Sequence, residues 1–515
     1  MPRKIYSAKG VRELDRIAIQ SYGIAGLELM NRAGHAAFSH LLRHWPQVNR
    51  LVLLCGPGNN GGDGFVVARL GVAAGMRVDV ILLADTDRLA STASQAHAAM
   101  VTAGVETKLL EQMDVVAFLR QLKSECPGGA CVFVDAMFGT GLDRNIGGGS
   151  QGELIDFINQ SSMPVLALDI PSGLDADTGD VLGKAVVADV TISFIGLKQG
   201  LLTGCGPDYC GVIHNEDLQI PAEVYQAVAP VAERMDFSVL MDADVPPLRS
   251  RKHSAHKGDF GHVLIVGGAP GMAGAVRMSA EASARVGAGL VSIATHPDHA
   301  VQICAQRPEL MVHALSEFDL LFKHINNASV IGIGPGLGQG RWGRKCLSQV
   351  LDSLTRAAKP TVVDADALNL LAFDPVKYDH WVLTPHPAEA ARLLGVTTKQ
   401  VQADRYAAAA AIQQRYGGVC VLKGAGTIVH TADGCFVCSD GNPGMACGGM
   451  GDVLTGVIAG FLAQKMPLAL AACLGVCIHA HAADLIAMEG QRGMLATDLF
   501  PVLRRLVNPV TNHAE

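Results

Sequence analysis

Short apolar runs recur along this chain, and each ends in glycines or a carboxylate before a segment of helical character. The clearest is Arg50-Leu-Val-Leu-Leu-Cys55, which runs into Gly56-Pro-Gly-Asn-Asn-Gly-Gly-Asp-Gly64 and then a helical stretch, 65–74. Runs this short and continuously apolar read as strands covered on both faces. Strand, glycine-rich turn and helix in alternation build a mostly parallel sheet with helices on either side. Further strands are expected at 78–83, 131–135, 164–169 and 190–194. The pattern returns at 259–269, 289–294 and 329–333, then in runs opening at Thr361, Trp381 and Val419.

At 515 residues the chain exceeds one ordinary domain. Pro221, Pro230, Pro246 and Pro247 punctuate a stretch with little periodicity, so the expected domains are 1–225 and 235–511. A net charge of -7 and the lack of a basic stripe argue against a nucleic-acid binder. Thirteen scattered cysteines fit a reducing compartment, and the start, Met1 to Ser7, shows no apolar signal segment. A soluble cytoplasmic protein is expected, with no membrane partner. The apolar run 468–488 contains His479, His481 and Asp484, so it reads as a core helix.

Asn442-Pro-Gly-Met-Ala-Cys-Gly-Gly-Met-Gly-Asp452 precedes an apolar helical run, 453–462. A glycine-rich loop at a helix N-terminus directs backbone N–H groups at an anion, phosphate above all. Asp452 at that terminus can take a proton from a substrate hydroxyl, which together is a phosphoryl-transfer layout. A plain capped helix is the alternative. In the first half, Gly56, Gly58 and Gly61 satisfy G-x-G-x-x-G, with Asp79 or Asp85 as a ribose acid; that is a dehydrogenase pattern. Asn59, Asn60 and Asp63 crowd the loop with polar groups that a pyrophosphate grip does not need. Because ligands lie beyond the carboxyl ends of parallel strands, Asn60, Asp135, Asp169 and Ser172 should converge. Cys435 and Cys438 have C-x-x-C spacing, but an extended chain sends the two thiols to opposite faces. His479 and His481, two apart on a helix, diverge and read as structural.

Gly56 to Gly64, Asp135-Ala-Met-Phe-Gly-Thr-Gly141 and Asp169-Ile-Pro-Ser-Gly-Leu-Asp175 together resemble the NAD(P)H-hydrate epimerase family over roughly 5–220. The resemblance implies a Rossmann-like three-layer α/β/α fold and a potassium ion held by Asn60, Asp135 and Ser172. It implies substrate contacts from Asn59, Asn60, Gly61, Gly62 and Asp63, from Gly139, Thr140, Gly141, Leu142, Asp143, Arg144 and Asn145, and from Asp169. Asp169 is the candidate acid/base. The second half carries Gly267-Gly-Ala-Pro-Gly-Met-Ala-Gly-Ala275, Gly334-Pro-Gly-Leu-Gly338, Asp364-Ala-Asp-Ala-Leu-Asn369, Thr384-Pro-His-Pro-Ala-Glu389, Lys423-Gly-Ala-Gly-Thr427 and Gly448-Gly-Met-Gly-Asp452. In that order they resemble the ribokinase-like NAD(P)H-hydrate dehydratases over roughly 235–510. That likeness implies a second α/β/α domain. Its adenine nucleotide, ADP or ATP with Mg2+, would lie on Lys423, Gly424, Ala425, Gly426, Thr427 and Gly451. Ala275, Gly336, His386 and the catalytic Asp452 would meet the hydrate. A bifunctional repair enzyme for hydrated NAD(P)H, forming homo-oligomers, is the resulting expectation. A ribokinase-like vitamin kinase with a non-catalytic N-terminal binding module is the alternative.

Overall fold

The structure is a computed structural model that describes residues 3–125, 130–242, 248, 250–316 and 319–508. The chain divides into two compact units, Met1–Glu233 and Arg234–Glu515, each with its own α/β core.

The first unit is built on seven parallel strands: β1 (Arg50–Cys55), β2 (Arg77–Leu82), β3 (Thr107–Leu109), β4 (Cys131–Ala136), β5 (Val165–Leu168), β6 (Val190–Phe194) and β7 (Val212–Glu216). Their spatial order is β3-β2-β1-β4-β5-β6-β7. Every residue of β1 and β4 is buried. Alternate residues of β1 feed different cores: Leu51, Leu53 and Cys55 pack into one cluster, Val52 and Leu54 into another. The sheet is therefore the middle of three layers. Arg50 is the polar exception, 3% exposed, with its guanidinium bonded to Asp79 and Glu125 at 2.9 and 2.6 Å. Asp79 is thus committed to an ion pair, and Asp85 sits in an exposed turn, so neither serves the glycine loop as a ribose acid.

The order reverses between β1 and β4, and at such a switch point the loops leaving adjacent strands part to open a crevice. The helix after β1 begins at Asn59, earlier than its composition suggests, and runs to Ala73. Gly56 and Gly61 make this entry possible. A Cβ on Gly56 would stand 1.8 Å from the Met137 carbonyl oxygen, and one on Gly61 would stand 1.9 Å from the Gly56 carbonyl oxygen. No other residue fits where backbones approach that closely.

The second unit carries β8 (His262–Val266), β9 (Leu290–Thr295), β10 (Met311–Ala314), β11 (Val330–Ile333), β12 (Thr361–Val363), β13 (Trp381–Leu383), β14 (Val419–Leu422), β15 (Thr427–His430) and β16 (Cys435–Cys438). The order is β10-β9-β8-β11-β12-β13-β14-β15-β16, parallel as far as β14 and antiparallel through the final two strands. The helix Met450–Ala463 crosses the helix Ala273–Arg285 closely. Ser279 Oγ donates to the Asp452 carbonyl at 2.6 Å, and Ser283 Oγ to the Gly456 carbonyl at 2.8 Å. All of Met450–Ala463 is buried except Gly451 and Asp452. The helix Leu468–Ala487 is, among the described residues, long and apolar enough to cross a membrane, yet most of it is buried inside the unit. His479 lies within it, 5% exposed, while the His481 ring stacks on Phe237, so the two histidines do diverge. Cys438 lies 3.6 Å from Cys477, sulfur to sulfur, in the core, whereas Cys435 is half-buried.

Candidate active sites

In the first unit a cavity of about 420 Å³ opens beyond the carboxyl ends of β1, β4 and β5. Asp135 is the penultimate residue of β4 and is fully buried. It accepts from the Ser172 hydroxyl at 2.6 Å, the Ser172 amide at 2.7 Å and the Met137 amide at 3.2 Å. Burial pushes its carboxyl up to about 6, against the pull of those bonds. Asn60, in the first turn of Asn59–Ala73, is 8% exposed, and both its amide oxygen and nitrogen lack a hydrogen-bond partner. An orphaned buried amide costs about 1–3 kcal/mol, so its place in the cavity wall is that of a ligand-binding group. Gly139 joins the loops: a Cβ there would stand 3.1 Å from Asp169 Oδ2 and 3.5 Å from Asn60 Cβ.

Asp169 follows β5 with φ +67°, a left-handed conformation rare for a residue with a side chain. Its carboxylate is ion-paired to Lys198, whose side chain is wholly buried. The Lys198 ammonium also donates to Ser193 Oγ and the Phe194 carbonyl, both at 3.0 Å. Asp63 shares the cavity wall, and its carboxyl is pushed well up by burial and then by the charges of Asp169 and Asp15. Asp15, also in the wall, is raised by burial and by Asp169. Asp169, paired with Lys198, thus faces two carboxyls whose pKa values burial raises.

Of the residues singled out from sequence, Asn59, Asn60, Asp63, Gly139, Thr140, Gly141, Leu142, Arg144 and Asp169 line this cavity. Gly61, Gly62, Asp143 and Asn145 do not, nor do Asp135 and Ser172, which lie buried behind the wall. Gly61 and Gly62 are packing positions, the latter against Met30, where a Cβ would stand 2.4 Å from Cε. Asn145 accepts the Gly147 amide at 2.8 Å. Lys198 and Asp15 went unnoticed in the sequence, since a lone lysine after a strand and a lone aspartate on a helix carry no spacing signal.

In the second unit the loops after β12, β13 and β14 meet the N-terminus of Met450–Ala463. Asp364 is 1% exposed and accepts from Lys423 Nζ at 2.8 Å, Thr384 Oγ1 at 2.8 Å and Thr455 Oγ1 at 2.9 Å. Glu389 Oε2 lies 4.0 Å from Lys423 Nζ. Lys423 was expected as a phosphate cation; its charge is in fact shared with these two carboxylates. Burial disfavours its ammonium, but Asp364 and Glu389 outweigh that and hold its pKa above the usual value. Gly451 stands over this pair, since a Cβ there would lie 3.1 Å from Lys423 Nζ. Gly424 and Gly426, at φ +136° and +60°, give the loop after β14 turns that glycine alone adopts easily. Thr427 Oγ1 closes the loop on the Gly424 carbonyl at 2.9 Å.

His386 caps the helix Pro387–Leu394, its Nδ1 accepting from the amides of Ala388 and Glu389 at 3.1 and 3.3 Å. The proton of the neutral ring is therefore on Nε2, which faces Glu389 Oε1 at 3.4 Å. Burial, then Lys423, lowers its pKa. Ala275 and Gly336 are neighbours, as a Cβ on Gly336 would stand 3.2 Å from that of Ala275. Asp452, in the first turn of its helix, makes no side-chain hydrogen bond among the described residues. Burial, then Asp364, pushes its carboxyl up to about 7, with Lys423 acting the other way.

A family model described as NAD(P)H-hydrate dehydratase matches residues 263–505, and one described as YjeF-related protein N-terminus matches 26–200. The chain is 45% identical to the bifunctional NAD(P)H-hydrate repair enzyme Nnr of Coxiella burnetii, over 98% of this chain and 99% of that one. It is 43% identical to the enzyme of the same name from Escherichia coli, over 100% of this chain and 96% of that one. A ribokinase-like superfamily protein of Enterococcus faecalis superposes on 53% of this chain and 94% of its own, at 31% identity and TM-score 0.49. With relatives above two-fifths identity from end to end and a separate family match in each half, this chain belongs to the bifunctional NAD(P)H-hydrate repair enzymes.

Proposed function

We propose that the first unit interconverts the two C6 epimers of hydrated NADH or NADPH, and that the second dehydrates the S epimer at the expense of ADP or ATP. The observation that carries the second half is Asp452. It is a carboxyl with a pKa of about 7, unpartnered, on the first turn of a buried helix. Hydroxide is a poor leaving group, and phosphate is a good one. Asp452 takes the C6 hydroxyl proton as the oxygen attacks the terminal phosphorus of the nucleotide, releasing AMP from ADP or ADP from ATP. The amides of 448–451 stabilise charge on the transferring group; one such donor is worth roughly a hundredfold in rate. The ring nitrogen then expels phosphate, and loss of the C5 proton restores the double bond. Mg2+ would enter with the nucleotide and neutralise its phosphates, with the Asp452, Asp364 and Glu389 carboxylates around that space.

In the first unit burial pushes the Asp63 carboxyl well up, while Asp169 is ion-paired to the buried Lys198, so the two carboxyls sit in unlike environments, as an acid and a base do. Asp63 protonates the C6 hydroxyl, which leaves as water while the ring nitrogen forms an iminium. Water returns to the opposite face as Asp169 takes its proton, and the proton passes back between the two carboxyls. Asn60, Asp135 and Ser172 would hold K+, a hard cation that takes oxygen ligands. The orphaned Asn60 amide and the buried Asp135 carboxylate fit that role. When bound it would supply positive charge at Asn60, in the wall of the cavity.

The test starts from a mixture of both hydrate epimers with ADP, Mg2+ and K+, following absorbance at the NADH band. Full recovery of NADH with release of free phosphate is expected. Recovery stalling at the S fraction would remove the epimerase assignment. A stable phosphorylated product would point to a vitamin-type kinase.

A further inference from the structure

The helix Gly26–His44 has two working ends. Its first turns contribute Leu29, Met30 and Ala33 to the cavity wall. His40 and His44 lie roughly 15–20 Å further along, at 1.5 Å per residue. One turn apart, they share a face of the helix. On the edge strand β7, His214 and Glu216 are two apart and share a face of the strand. One nitrogen from each of the rings of His40, His44 and His214 lies within 4.8 Å of the other two. His44 Nε2 and His214 Nε2 are 2.9 Å apart. Two nitrogens that both ligate a tetrahedral ion at about 2.0–2.1 Å stand roughly 3.3 Å apart, so the rings need to open by only a few tenths of an ångström. His40 Nε2 also meets Glu216 Oε1 at 2.6 Å. A carboxylate on a ligand histidine is the usual outer partner that fixes the ring and balances the cation. Burial is graded: His40 is 5% exposed, His214 intermediate and His44 exposed. One side is thus open to water as a further ligand.

We infer that His40, His44 and His214, supported by Glu216, form a binding site for a divalent first-row transition ion of the Zn2+ class. Three imidazoles without a thiolate suit Zn2+, Ni2+ or Cu2+ and discriminate against K+, Mg2+ and Ca2+. The site is therefore chemically distinct from both active sites. A bound ion would tie the end of the cavity-wall helix to the last strand of the sheet, favouring the folded state by mass action.

The untagged full-length chain, stripped with chelator, is titrated with Co2+ as a visible probe and then with Zn2+, alongside His44→Ala and His214→Gln. Wild type is expected to bind one equivalent more than either variant, with at least tenfold tighter retention. Zn2+ should raise its melting temperature and leave both variants unmoved. Epimerase activity in K+ without added transition metal should match across all three, because the trio lies away from the cavity. Equal stoichiometry and equal Zn2+-dependent shifts in all three would overturn the site, leaving the rings as a hydrogen-bonded relay. Loss in only one variant would also count against it, since each histidine is a required ligand.

Discussion

At Asp452 burial and the neighbouring Asp364 raise the carboxyl to about 7, while Lys423 draws it down. A general base must be ionised, so dehydration should rise with pH through a midpoint near 7 and fall away in acid. Asp452→Asn should cut dehydration by about a hundredfold or more, read at the NADH band. The same shift has a stability consequence of opposite sign. The folded pKa lies above the unfolded value of about 3.9, so the folded chain binds this proton more tightly. The resulting stabilisation is present at low pH and lost as pH rises through 7. Above that, ionised Asp452 is a burden of at most about 4 kcal/mol, less whatever solvent screening removes. The Asn variant should therefore melt higher than wild type at pH 8 while being inactive. A lower melting temperature there would contradict the electrostatic account. In the first unit Asp169→Asn removes the partner of the buried Lys198. Epimerisation should be lost, and recovery from a mixed hydrate should stop at the S fraction.

The helix Met450–Ala463 shows why glycine has two unlike meanings at the scale of an element. A Cβ on Gly456 would stand 2.0 Å from the Ser279 carbonyl oxygen, a backbone atom that cannot step aside. Gly456→Ala should force apart this helix and Ala273–Arg285 and cost on the order of 3 kcal/mol, a loss visible in urea denaturation. Gly448 meets nothing within 4 Å. Gly448→Ala should leave stability within about 0.5 kcal/mol, so any loss of activity belongs to the phosphate site. The sequence reading starts two helices late: at 65 rather than Asn59 and at 453 rather than Met450. Glycine is a poor helix former, which favours reading these stretches as loops. Close backbone approach in the folded core overrides that preference. The strands Thr107–Leu109, Met311–Ala314 and Val212–Glu216 were missed because they are short or polar pieces without an apolar run.

Over the whole molecule, each unit places its cavity or loop cluster at the carboxyl ends of a parallel sheet, and the two chemistries are carried by different side chains. They should be separable. Given the pure R hydrate without nucleotide, Asp452→Asn should still produce the S epimer, whereas Asp169→Asn should not; chromatography of the two epimers reads this directly. The sequence by itself determined the alternation of strand and helix, the two parallel sheets and the loops that carry Asp135, Asp169, His386 and Asp452. Those features rest on local periodicity and on motifs of a few consecutive residues. Only the tertiary structure decided which charges meet. Asp63 faces Asp15 and Asp169 with Lys198 behind them, and Lys423 is bound to Asp364 rather than free. His44 meets His214 across 170 positions of chain. Burial and Coulomb interaction depend on distance in space, and separation along the chain carries no record of it.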